Sequence, residues 1–132
     1  MMYLLDVNAL VALGFQQHEF HRRMALWVQM ERPAVLATCS ITELGFVRVL
    51  AQAPGYGLPL GQARSLLLRL KESAALRFAF INDSHDVAHL PFWVKAARQI
   101  TDGHLAQLAK ANGGILATLD RKIPGSFLIP EN

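Results

Sequence analysis

Short apolar runs alternate along this chain with longer stretches whose apolar residues recur at helical spacing. The short runs are residues 2–7, 34–38, 77–81, 115–119 and 127–129, each long enough for a buried strand and too brief for a stable helix. Between them, Phe20, Met24, Trp27 and Val28 fall at i, i+4, i+7 and i+8, which predicts a helix over residues 19–30 ended by Pro33. Ser40 opens a second helix to about residue 51, closed by the turn sequence Pro54-Gly55-Tyr56-Gly57. Leu60, Ala63, Leu67 and Leu70 mark a third helical face, flanked by Arg64 and Lys71. Residues 101–112 form a fourth helix that Gly113-Gly114 terminates. Residues 82–92 show no clear period, and Pro91 argues against one helix across them. Strands alternating with helices predict an α/β fold with a mainly parallel sheet.

No repeat, low-complexity tract or Gly/Ser/Pro-rich linker divides the chain, so residues 1–132 are expected to form one domain. An apolar fraction of 52% supplies a well-filled core and excludes a disordered chain. No run approaches the ~20 apolar residues of a membrane span. The apolar opening of residues 1–5 is cut by Asp6, too soon for a signal-peptide core. Cys39 is the single cysteine, so no internal disulfide forms; it reads as a buried small hydrophobe, which fits a reducing cytoplasm. Thirteen lysines and arginines against ten acids give a net charge of +3, compatible with a polyanionic partner.

The placement of the acids says more. Asp6 in Leu4-Leu5-Asp6-Val7-Asn8 and Asp120 in Thr118-Leu119-Asp120-Arg121 follow predicted strands. Glu43 in Ile41-Thr42-Glu43-Leu44 and Asp102 in Ile100-Thr101-Asp102-Gly103 fall in the first turns of predicted helices. In an open parallel sheet, strand C-termini and the following helix N-termini share the edge where ligands bind, so all four are expected there. Each also has a structural explanation. Ser40-Ile41-Thr42-Glu43 is a capping-box pattern, with Glu43 returning a bond to the Ser40 amide. Asp102 suits a helix dipole, Asp6 a cap and Asp120 a turn. Taken together, carboxylates crowded into one cleft repel one another, and a divalent cation removes the conflict. Oxygen-only ligands favour Mg²⁺ or Mn²⁺, and such an ion suits phosphodiester hydrolysis.

These segments resemble the PIN-domain family, and within it the VapC-type bacterial toxins. The resemblance spans essentially the whole chain: Leu4-Leu5-Asp6-Val7-Asn8, Ser40-Ile41-Thr42-Glu43 with Arg48, Ile100-Thr101-Asp102-Gly103-His104-Leu105-Ala106, and Ala117-Thr118-Leu119-Asp120-Arg121. It implies a three-layer α/β/α sandwich and Mg²⁺- or Mn²⁺-dependent endoribonuclease activity. It also implies an RNA substrate, a homodimer, and a small cognate antitoxin protein. By position, Asp6, Glu43, Asp102 and Asp120 would be the acidic metal-site residues, with Asn8 and Thr118 as polar neighbours holding the ion and its waters. Gly103-His104 departs from the pattern, where relatives often carry Ala and an aromatic. His104 is read as a surface or rim residue near enough to Asp102 to touch RNA.

Three other readings compete. His18-x-x-His21 and His85-x-x-x-His89 have metal-compatible spacings but lack a Cys framework or a zincin Glu, so they are read as solvated or helix-edge residues. A phospho-acceptor receiver would need paired acids after the first strand, where only Asp6 stands, and a central Asp after the third, where Asn82-Asp83 is a poor context. A non-catalytic RNA-binding or scaffold protein of the same fold would tolerate loss of the acids, yet all four are present. Finally, Leu44, Phe46, Val47 and Val49 cannot all point inward from one helix. Some of them are expected on a dimer or inhibitor surface along the helices of residues 19–30 and 40–51, unless neighbouring elements bury them.

Overall fold

Each apolar run becomes a strand of one sheet: β1 (Met2–Leu5), β2 (Val35–Thr38), β3 (Phe78–Phe80), β4 (Ile115–Thr118) and β5 (Phe127–Leu128). The computed structural model describes residues 1–32 and 34–131; Pro33, expected to end a helix, lies outside them. The strand order is β3-β2-β1-β4-β5, and every neighbouring pair is parallel. The helices are α1 (Val7–Gly14), α2 (His21–Met30), α3 (Ser40–Gln52), α4 (Leu60–Glu72) and α5 (Ile100–Ala111).

Strand side chains alternate between two cores, as the two-residue strand period requires. Tyr3, Leu5, Leu36 and Ala117 pack with Leu10, Trp27, Phe46, Leu50 and Leu67 from α1 to α4. Leu4, Ala37 and Leu116 face the other way, onto Leu105, Leu108 and Ala109 of α5. The sheet is thus covered on both faces, giving an α/β/α sandwich. After β3 the chain passes beyond β1 to form β4, so strand order reverses between β1 and β4. That reversal opens a crevice at the C-terminal ends of those strands.

Three local departures from the sequence reading have physical causes. β1 stops at Leu5 rather than running to residue 7, because the Asp6 carboxylate accepts the Ala9 amide at 2.9 Å and starts α1. Residues 9–13 are all buried, so α1 has no amphipathic period by which a helix could be recognised. α2 begins at His21, not at residue 19, since His18 Nδ1 accepts the Phe20 amide in the preceding turn. Beyond β3 the segment without a period, residues 82–92, carries one 3₁₀ turn, Val87–His89, and a second, Ala97–Gln99, leads into α5.

Candidate active site

Asp6, Asp102 and Asp120 line one cleft at the β1–β4 crevice, together with Asn8, Thr101 and Thr118, enclosing about 340 Å³. Asp6 is held most firmly. Its Oδ1 accepts from the Ala9 amide, and its Oδ2 accepts from the Thr118 hydroxyl at the end of β4. Thr118 is fully buried and its Oγ1 also accepts the Asp120 amide at 3.0 Å, so one hydroxyl links two of the acids. Asp120 in turn accepts the Lys122 amide at 2.9 Å, closing the turn after β4. Asp102 stands in the first turn of α5, half-buried. The cap and turn explanations for Asp6 and Asp120 are therefore real, and they aim both side chains into the cleft.

Electrostatics set this cluster apart. Burial raises the Asp6 carboxyl to about 6, against the lowering pull of the Thr118 and Ala9 hydrogen bonds, and the charges of Asp102 and Asp120 push it further up. Asp102 is raised as well, by partial burial and by Asp120. The cleft thus holds more negative charge than its own surroundings balance. Its donors are all oxygens, which suits a hard divalent cation. Among the described residues, no group of three or more His, Cys, Asp or Glu side chains is placed to hold a metal ion by itself. The acids fit an ion that keeps part of its shell as water, the usual habit of Mg²⁺.

Glu43 is at the same sheet edge but is not a wall of that cleft. The capping pattern proves to involve other residues: Cys39 is the N-cap of α3, and Thr42 Oγ1 accepts its amide at 3.0 Å. Glu43 is free of the cap, and its Oε2 accepts from the Thr38 hydroxyl at 2.6 Å and from Lys71 Nζ at 2.5 Å. It lines the adjoining groove between α3 and α4. Thr38 and Lys71 are the site residues that sequence reasoning missed. A polar residue closing an apolar strand was the available signal for Thr38; nothing local marked Lys71.

The two spaced histidine pairs stay at helix edges and in solvent-facing turns: His21 opens α2 and His89 is exposed. His104, read as a surface or rim residue, is partly buried, with a side chain 15% exposed, and bonds Asp83 at 2.5 Å, which also removes Asp83 as a free acceptor after β3. His18 accepts the Phe20 amide on Nδ1, so its proton lies on Nε2, which donates to Asn8 Oδ1 at 3.0 Å. Burial lowers its pKa, in keeping with a neutral ring. His21 instead bonds the Ala12 carbonyl, and His85 stacks on His89 with centroids 4.2 Å apart.

A parallel α/β sheet with an acidic cleft at its switch point is the arrangement of an acidic-site nuclease. The PIN-domain family model matches residues 3–124, and the chain belongs to that family. It is 39% identical to ribonuclease VapC38 of Mycobacterium tuberculosis, over 90% of this chain and 85% of that one. It is 35% identical to ribonuclease VapC29 of the same organism, over 91% and 86%. Its sequence relatives place it with the VapC-type ribonucleases, toxins of toxin–antitoxin systems, and PIN nucleases generally use a divalent metal ion. Among solved structures it is similar to VapC20 of Mycobacterium tuberculosis, a sarcin–ricin loop cleaving toxin, with a TM-score of 0.64 at 13% identity over 92% of each chain. It is also similar to VapBC2 of Rickettsia felis, solved bound to a fragment of its promoter DNA, with a TM-score of 0.61 at 16% identity over 97% of each chain. At these identities the structural likeness concerns the fold.

Proposed function

We propose that this protein is a Mg²⁺- or Mn²⁺-dependent endoribonuclease whose cleft residues Asp6, Asp102 and Asp120, with Glu43 beside them, are its catalytic acids, and that a small antitoxin protein restrains it. The observation that carries this is the convergence of three mutually repelling aspartates with Asn8 and Thr118 at the β1–β4 switch point. Asp6, Asp102 and Asp120 would hold the ion directly or through water, and Glu43 through water. When bound, the ion lowers the pKa of a water and offsets charge on the phosphoryl group. The chain's own part is orientation. Thr118 and the Ala9 amide fix the Asp6 carboxylate, and His18 fixes Asn8, so both present set faces to the scissile phosphodiester. Cleavage of a labelled RNA pool in Mg²⁺, in Mn²⁺ and with chelator tests this. Cleavage that persists at the same rate in chelator excludes the metal site.

The partner surface is the α3–α4 groove, about 550 Å³, lined by Leu44, Val47, Arg48, Leu60, Arg64 and Leu68. Of the four apolar positions expected to compete for the core, Phe46 is fully buried and Val47 and Val49 pack against it. Leu44 remains 62% exposed. Leu60 and Leu68 across the groove are exposed too. Three exposed apolar side chains therefore meet between α3 and α4, whereas α2 exposes one large apolar residue, Met30, at its end. In this proposal an amphipathic antitoxin segment fills the groove and directs a basic side chain past Glu43 toward Asp6. Leu44→Asp should abolish co-purification with the small protein encoded beside the gene while leaving RNA cleavage unchanged. A complex that survives Leu44→Asp together with Leu68→Asp would place the partner elsewhere. The same samples, measured by light scattering, test the proposed homodimer.

A further inference from the structure

From the sheet edge beside the acidic cleft, we propose that Phe80 and Lys71 form a nucleotide subsite flanking the scissile phosphodiester, Phe80 stacking a base and Lys71 meeting a phosphate. This rests on the ribonuclease function proposed above. Along the C-terminal edge of the sheet the order is Thr118 on β4, Asp6 after β1, Thr38 on β2 and Phe80 on β3, with Thr38 and Phe80 paired in register. β3 is two strands from β1, about 10 Å at the usual strand spacing. That is the reach of a neighbouring nucleotide along a bound strand.

Phe80 is a poor core residue where it stands. Phe78, two positions earlier and on the same strand face, packs against the main core, whereas Phe80 is 48% exposed. One face of its ring carries a cation: Lys71 Nζ lies over it, 5.4 Å from the centroid, which leaves the opposite face for a base. The same ammonium bonds Glu43, whose other partner is Thr38, so ring, cation and carboxylate are fixed relative to one another from β2 across to α4. Lys71 keeps 24% of its side chain exposed and has donors to spare for a phosphate oxygen. A half-exposed phenyl ring with an oriented ammonium over one face, at the edge where the acids lie, has the two elements that single-stranded nucleic acid recognition uses. A residue that merely shielded the Lys71–Glu43 pair would need apolar bulk and not an aromatic face.

The discriminating experiment measures anisotropy of labelled single-stranded RNA on full-length Asp6→Asn protein, alone and with Phe80→Ala, Phe80→Leu, Phe80→Tyr or Lys71→Ala added. Melting curves check each fold. Loss of stacking should weaken binding about tenfold for Phe80→Ala and comparably for Phe80→Leu, while Phe80→Tyr restores it. Lys71→Ala should lower the slope of log affinity against log salt by about one. With Asp6 intact, Phe80→Ala should raise KM and leave kcat near its parental value. If Phe80→Ala and Phe80→Leu bind RNA as the parent does, or weaken only an inhibitor protein, the subsite is wrong while the nuclease stands. If the unsubstituted chain neither binds nor cleaves RNA, the nuclease proposal falls, and the subsite with it.

Discussion

β2 and β4 carry nearly the same tetrapeptide, Val35-Leu36-Ala37-Thr38 and Ile115-Leu116-Ala117-Thr118, and each ends in a fully buried threonine whose hydroxyl donates to a carboxylate. Their electrostatic outcomes are opposite. At the end of β2 the carboxylate is Glu43, and Lys71 from α4 balances it. At the end of β4 it is Asp6, and α5 and the turn after β4 bring two more negative charges, Asp102 and Asp120. The local structure of a strand end therefore does not decide whether the charge of its acid is balanced. The charge delivered by a distant element decides it. Glu43 has its counterion within the fold, whereas among the described residues no ion pair joins Asp6, Asp102 or Asp120.

The largest effect should follow from removing a charge on the unbalanced side. Asp6→Asn and Asp102→Asn should each lower metal-dependent RNA cleavage at least ~100-fold while circular dichroism stays unchanged. Glu43→Gln should cost less, because its carboxylate already has a partner. Initial rates on one RNA across the three variants test this ordering, and parental rates in Asp6→Asn would end the metal-site proposal.

The same asymmetry should appear in stability. Asp6 titrates near 6 in the fold against about 3.8 when unfolded, so between these values the folded state binds more protons. The Asp6 contribution to stability must then fall as pH rises from about 4 to about 6, and its full deficit persists at neutral pH; His18, lowered by burial, contributes in the opposite sense just below its ordinary value. Asp6→Asn should recover on the order of 1–3 kcal/mol at pH 7 and flatten the dependence in that window. Mg²⁺ or Mn²⁺ should stabilise the parent more at neutral than at acid pH, and Asp6→Asn much less at either. Urea titrations at both pH values read this directly. A stability difference between Asp6→Asn and the parent that does not grow from pH 5 to pH 7, with no response of the parent to divalent ions, would contradict the unbalanced cluster.

How much of this was legible in the sequence follows from how each signal is encoded. Strands β1, β2 and β4 are short uninterrupted apolar runs, so their positions and the α/β class followed from pattern. Helix α1 was hidden because Ala9 to Leu13 are all buried, which erases the period by which helices are recognised. The four acids stood out because polar residues interrupt apolar runs at element ends. Their division into three in the cleft and one beside it did not, because it depends on Lys71, 28 residues beyond Glu43. The partner of His104 was hidden for the same reason, Asp83 lying in the segment without a period.

A backbone contact joins the two regions and gives a smaller test. A Cβ on Gly45 would lie 2.5 Å from Val7 Cγ2, so glycine permits α3, which carries Glu43, to approach α1, which Asp6 caps. Gly45→Ala must turn the stiff Val7 side chain off its rotamer or part these helices, outweighing the gain in helix propensity, and should destabilise by about 1–2 kcal/mol. It should also reduce cleavage without changing any acid. Unaltered melting and activity would mean that the helix contact does not set the spacing of the two regions.

The smallest effect should come from the balanced side. Lys71 and Glu43 have side chains 24% and 21% exposed, so water screens their pair in part, and Lys71→Met should cost up to about 1 kcal/mol. The methionine retains most of the apolar stem beside Phe80 and removes only the ammonium. The more telling consequence is indirect. Without Lys71, the Glu43 charge is no longer offset and adds to the field of Asp102 and Asp120 on Asp6. The pH window in which stability falls should then extend upward, and the stabilisation by a fixed concentration of Mn²⁺ should increase relative to the parent. Lys71→Arg restores the charge and should return both to parental behaviour. A Lys71→Met protein with an unchanged Mn²⁺ response would show that Glu43 and the aspartate cleft are electrostatically independent despite sharing one sheet edge.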